Sequence, residues 1–127
     1  MSVAPRQLLD SAKLIRAHVT NEAGHRATIS RAYYAGYHAA RDFHSSLPSV
    51  GSLSVTSGLH EQLCERLQNP TIPTMDARHL RSRQIGAILR DFHRKRVIAD
   101  YQVTERVADT NADEALVLSE RLLSFAA

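Results

Sequence analysis

The chemistry-bearing residues crowd into one stretch. Arg78, Arg81, Arg83, Arg90, Arg94, Lys95 and Arg96 stand against a single carboxylate, Asp91. That local excess of six positive charges on one predicted helix attracts phosphate, anionic lipid or an acidic protein. Almost all of these cations are arginine, whose planar guanidinium grips a phosphate through two parallel donors. Carboxylates at i, i+4 that would neutralise them are scarce. Arg83, Arg90 and Arg94 share a face at steps of seven and four. His93 adds an imidazole, which titrates near neutral pH, beside Arg94. A fixed cation and a proton-exchanging group are what attack of an RNA 2′-hydroxyl on its own phosphate requires. His93 lies roughly 100° around the helix from Arg94, so within one subunit it points elsewhere. The ordinary fate of a charge run, a solvated helix face, is the competing reading. No aromatic stripe accompanies the arginines, so contact through phosphates, with strong salt dependence and little base specificity, is expected.

Other reactive types are less productive. None of the seven histidines is spaced i, i+4 from another, and His38 and His44 fall nearly opposite on a helix, so neither metal nor cofactor is expected. Cys64, the only cysteine, excludes an intramolecular disulfide and reads as an inert, partly buried thiol. Arg31 and His38 share a face at i, i+7, but a histidine among tyrosines reads better as a hydrogen-bonded packing residue. Tyr101 beside Asp100 reads as a residue that caps and packs the end of its helix.

The elements that must position these groups are helices. The 127 residues suit one domain spanning 1–127 with one core. Pro5 opens a first helix carrying Leu8, Leu9, Ala12, Ile15 and Val19, which should stop near Asn21 to Gly24. The second should run from about His25 to Ser45, mixing small residues with Tyr33, Tyr34, Tyr37 and Phe43. Pro, Gly and Ser between Pro48 and Gly58 mark a loop that either moves or covers a cleft. A short helix follows from about Leu59 to Gln68. The longest spans about Met75 to Ile98, with Leu80, Ile85, Ile88, Leu89 and Phe92 as its buried stripe. The last begins near Asn111, where Asn111 and Glu114 have capping-box spacing. No strand alternation competes, and the fold class expected is all-α, an up-and-down bundle of four to five helices. No run of 18 apolar residues occurs, and Met1 to Asp10 lacks the pattern of a signal peptide, so a cytoplasmic protein without a membrane partner is expected.

Two segments go beyond generic bundle character. Ser30-Arg31-Ala32-Tyr33-Tyr34-Ala35-Gly36-Tyr37-His38-Ala39-Ala40-Arg41 resembles the second-helix signature of the HEPN family. Arg96-Val97-Ile98-Ala99-Asp100-Tyr101 is similar to the segment closing that family's long helix. The resemblance covers roughly Leu8 to Phe125. It implies a helical homodimer with the long helices flanking a cleft. Many members are metal-independent ribonucleases of toxin–antitoxin or antiviral systems, and others are binding modules or partners of minimal nucleotidyltransferases. Active members carry Arg, four to six residues, then His. Here Arg94 and Tyr101 match, but the histidine position holds Ala99, which has no proton to exchange. In some members the tyrosine matching Tyr101 receives a nucleotide.

The expectation is therefore a HEPN-like dimeric RNA- or nucleotide-binding protein of a bacterial toxin–antitoxin or defence system with a degenerate nuclease site. Arg83, Arg90, Arg94, Lys95 and Arg96 would bind the nucleic acid. An active endoribonuclease using Arg94 and His93 is one alternative. A helical adaptor, whose small-residue second helix mediates assembly, is the other.

Overall fold

The computed structural model describes residues 3–54 and 58–127. Five helices account for the architecture: α1 (Pro5–His18), α2 (Glu22–Ser45), α3 (Leu59–Gln68), α4 (Ala77–Tyr101) and α5 (Asp109–Ala126). No strand occurs among the described residues. The helices form an up-and-down bundle in which α2 packs against α1, α4 and α5, while α3 leans mainly on α4 and touches α2 through His60. No helix is long and apolar enough to cross a membrane.

The small residues of α2 explain its central place. Ala32, Ala35, Ala39 and Ala40 are all buried and let neighbouring helices approach closely. A β-carbon on Gly36 would lie 2.6 Å from Leu122 of α5. Tyr33, fully buried, fills the remaining space edge-on to Phe92 of α4. Gly86 does the same for α4, since a β-carbon there would meet the Gln68 backbone nitrogen at 2.9 Å and Leu67 Cβ at 2.9 Å.

Several boundaries differ from the sequence reading for local reasons. α1 ends at His18, and α2 starts three residues before His25, because the Asn21 side chain accepts from the Gly24 N–H at 2.8 Å and caps the helix there. α4 starts at Ala77 rather than Met75, capped by Asp76, which accepts from the Arg78 N–H at 2.9 Å. It continues to Tyr101 rather than stopping at Ile98, and its exposed carbonyls are gathered by one side chain from α2. Arg26 donates through Nη1 to the carbonyls of Ile98, Ala99 and Gln102 at 3.2, 3.0 and 3.2 Å, and through Nη2 to that of Glu105. α5 begins at Asp109, so Asn111 sits inside the first turn and its Oδ1 accepts from the Ala108 N–H at 2.9 Å. Leu80 is 59% exposed, not part of the buried stripe. At 100° per residue it lies about 140° from Ile85. Ser82 takes the buried place, donating its hydroxyl to the Leu67 carbonyl at 2.7 Å.

The loop between Pro48 and Gly58 is described in part; residues 55–57 lie outside the described residues. Its first half is strapped to α3. The Ser52 N–H donates to the Asn69 carbonyl at 2.9 Å, and the Ser54 N–H to Glu65 Oε1 at 2.8 Å. Gly51 adopts a φ of 81° with the Arg66 carbonyl against it, a conformation and a space that exclude any side chain.

Candidate functional site

α3 and α4 meet in a pocket of about 450 Å³ lined by Glu61, Cys64, Glu65, Gln68 and Asn69 on one side and by Arg90, His93 and Arg94 on the other. Arg90, His93 and Arg94 recur at i, i+3 and i+4 and so occupy one side of α4. His93 and Arg94, although adjacent, therefore face the same space within a single chain. The rotation between neighbours that would separate them is offset here by the concavity of the α3–α4 groove.

The basic stretch divides by what surrounds each cation. Arg90 and Arg94 are exposed and, among the described residues, have no carboxylate at ion-pair distance. Arg83 lies seven residues earlier on the same edge, exposed beside Gln68, Leu80, Gln84 and Ala87 rather than in the pocket. Lys95 turns towards α5, held by Glu114 at 2.9 Å and Asp91 at 3.3 Å. Arg96 turns towards α2, where its side chain is 13% exposed. Its Nε pairs with Asp100 at 2.7 Å, its Nη2 donates to the Tyr34 hydroxyl at 2.9 Å, and its guanidinium carbon sits 5.0 Å from the Tyr34 ring centre. Arg78 is paired with Asp76 at 2.7 Å. Carboxylate partners, scarce in the sequence, thus reach Arg78, Lys95 and Arg96, partly from other helices. The pocket keeps Arg90 and Arg94 as its available cations.

Behind the pocket lies a group that the sequence reading did not single out. The His60 ring, from the first turn of α3, stacks on Tyr37 with centroids 4.3 Å apart and on His93 with centroids 5.2 Å apart. The Tyr33 hydroxyl lies 2.6 Å from His60 Nδ1. Burial raises the Tyr33 pKa, so the phenol keeps its proton and donates it. Nδ1 is then the acceptor, and the proton of the neutral His60 ring resides on Nε2. Burial is the largest cause holding His60 below the usual histidine range, followed by His93 and Arg96. Burial, then Arg96, does the same to His93. Two neutral imidazoles thus adjoin two free guanidiniums. The only signal in the sequence was a histidine at a helix start, and nothing local paired it with His93 or Tyr33.

Other candidates fall elsewhere. His38 is half-buried beside Tyr37 and Tyr34, with ring centroids 5.4 and 6.4 Å away, and Arg31 is exposed. His79 and His44 bond the backbone carbonyls of Ile72 and Val50. Among the described residues no group of three or more His, Cys, Asp or Glu is placed to hold a metal ion. Cys64 is 1% exposed, and burial pushes its thiol up to about 11 despite Arg90 nearby. Tyr101 ends α4, 68% exposed as a residue, with its ring centre 5.9 Å from the Arg96 guanidinium carbon. Compared with family models, with curated proteins and with solved structures, the chain has no match in any of the three.

Proposed function

We propose that this chain is a HEPN-like, dimeric RNA- or nucleotide-binding protein of a bacterial toxin–antitoxin or defence system, with a nuclease site that is degenerate at Ala99. The observation that carries the reading is the pair Arg90 and Arg94, without an ion-pair partner among the described residues and set around a concave pocket with His93. Guanidiniums without an ion-pair partner keep their donors for phosphate, although Glu61 and Glu65 share the pocket with them. Arg83 extends the basic edge by about 10 Å at the helical rise. Ile98, Tyr101 and Val103 are exposed apolar groups at and just beyond the end of α4, where a second copy would meet the first. Lys95 and Arg96 act in this reading as fixed structural cations.

Salt-titrated binding of single-stranded RNA tests the proposal. Affinity that falls steeply between 50 and 200 mM salt, about as expected for contacts dominated by phosphate, supports it. No measurable binding even at low salt overturns it.

A second reading is favoured by the contact between His60 and His93. A neutral His93 beside two arginines supplies part of what a metal-independent endoribonuclease needs, a base for the 2′-hydroxyl proton and cations for the phosphate. RNA cleavage in EDTA that disappears in both Arg94→Ala and His93→Ala would establish this activity. Tyr101, exposed beside Asp100, would serve as acceptor for a minimal nucleotidyltransferase partner, and loss of nucleotide addition in Tyr101→Phe would test that role.

A further inference from the structure

We infer that the pocket between α3 and α4 is a single-nucleotide site that discriminates the base. It takes a nucleoside monophosphate unit, free or at the end of an RNA strand, and favours guanine, adenine and cytosine over uracil. The inference rests on the phosphate-binding reading above and adds to it a base preference, which the sequence did not suggest.

The shape comes first. A concave space of about 450 Å³ is in the range that encloses a small ligand, and it suits one nucleotide rather than a passing duplex. The walls then divide by chemistry. α4 supplies Arg90 and Arg94 for the phosphate. His93, between them and the interior, is the end of a ring series in which Tyr37 stacks on His60 at 28° and His60 on His93 at 13°. A base laid against such an imidazole gains stacking whatever its identity.

Selection among bases falls to α3, whose wall is rich in acceptors. Glu61 is exposed and has no ion-pair partner among the described residues. Glu65 is oriented by the Ser54 N–H and hydroxyl, which both donate to its Oε1. Asn69 donates one amide N–H to the Glu65 carbonyl at 2.9 Å, which directs the amide and leaves Oδ1 as an acceptor beside the second N–H. Amino-bearing bases offer exocyclic N–H donors to these oxygens. Uracil offers one ring N–H and two carbonyls, and the carbonyls are repelled by the Glu61 and Glu65 carboxylates, leaving the amides of Gln68 and Asn69 as their only partners on this wall.

Calorimetric titration of the full chain with GMP, AMP, CMP, UMP and ribose 5-phosphate tests the inference. The three amino-bearing nucleotides should bind at least about fivefold tighter than UMP, from the discrimination a good base-edge pair provides. Glu61→Gln, an exposed change that leaves the core intact, should narrow that gap. His93→Ala should weaken every nucleotide but leave ribose 5-phosphate unchanged. Short RNAs ending in guanosine or uridine distinguish the source. A guanosine end binding more than about tenfold tighter than GMP assigns the site to strand ends, and equal affinity assigns it to free nucleotides. Equal binding of all four nucleotides overturns the base preference. RNA binding without any nucleotide binding overturns the site while sparing the proposed function. Absence of both removes the two together.

Discussion

The imidazoles of His60 and His93 lie nearly parallel, 13° between planes and 5.2 Å between centroids, with Arg96 contributing to the field that keeps each of them uncharged. Both pKa values are lowered in the folded chain, whereas an unfolded histidine titrates near about 6.5. Below that value the unfolded chain binds protons that the folded one refuses. Stability present at neutral pH is therefore lost as the pH falls through the folded pKa values. Thermal melts between pH 7.5 and 5 should show a steeper decline for the wild type than for His93→Gln. Parallel profiles would mean that the contact does not couple to titration.

Arg94 and Arg96, two residues apart, should behave in opposite ways. Arg94→Ala should reduce the salt slope of single-stranded RNA binding by about 0.7 for each copy engaged. It should change stability by less than about 0.5 kcal/mol, since nothing in the fold leans on it. Arg96→Ala leaves Asp100 with only the Ser30 hydroxyl and removes a donor from Tyr34, costing about 1–3 kcal/mol. Urea unfolding and salt-titrated binding on both variants check the contrast, and an unchanged slope in Arg94→Ala would remove that residue from the interface.

Arg26→Ala should destabilise by about 1–3 kcal/mol, because four carbonyls at and beyond the end of α4 lose a shared charged donor. The loss should be local first. Hydrogen exchange should accelerate at the Gln102 amide, which closes the end of α4 on the Ile98 carbonyl, and at the Glu105 amide of the following turn, before it does so in α2. Uniform protection would argue that the clamp is dispensable.

Gly86→Ala separates helix propensity from packing. Alanine is favoured over glycine inside a helix by about 1 kcal/mol. Here its methyl would press on the Gln68 backbone and on Leu67, so a net cost of about 1–3 kcal/mol is expected from overpacking. The displacement would open the seam beneath the pocket and weaken RNA binding with it. Urea unfolding of the variant checks this, and stability equal to that of the wild type would show that α3 yields without cost.

Much of the bundle was legible because helical periodicity is local. The five elements, the aromatic and small-residue texture of α2 and the burial of Cys64 all follow from residues within a turn or two of one another. Boundaries slipped where a cap or a distant donor decided them, as with Asn21 and Arg26. Leu80 was misplaced because hydrophobicity was read without its angle on the helix. The site was legible in half. The arginines announced themselves as a run, but which of them stay free depends on Glu114 and on Tyr34, and neither is near in sequence. The assembly of Tyr33, Tyr37, His60 and His93 is tertiary throughout: α2 and α4 bring their rings to the start of α3, so no spacing rule could have found it.

The protonated thiol of Cys64 has a practical consequence for every experiment that asks how two copies meet. Maleimides and oxidants act on thiolates, and a sulfur sealed from water with a pKa near 11 supplies almost none at neutral pH. A cysteine placed at Tyr101 would be the chain's lone reactive sulfur without any prior mutation. A covalent pair forming under mild oxidation would then report the end of α4, and nothing else, facing its own twin.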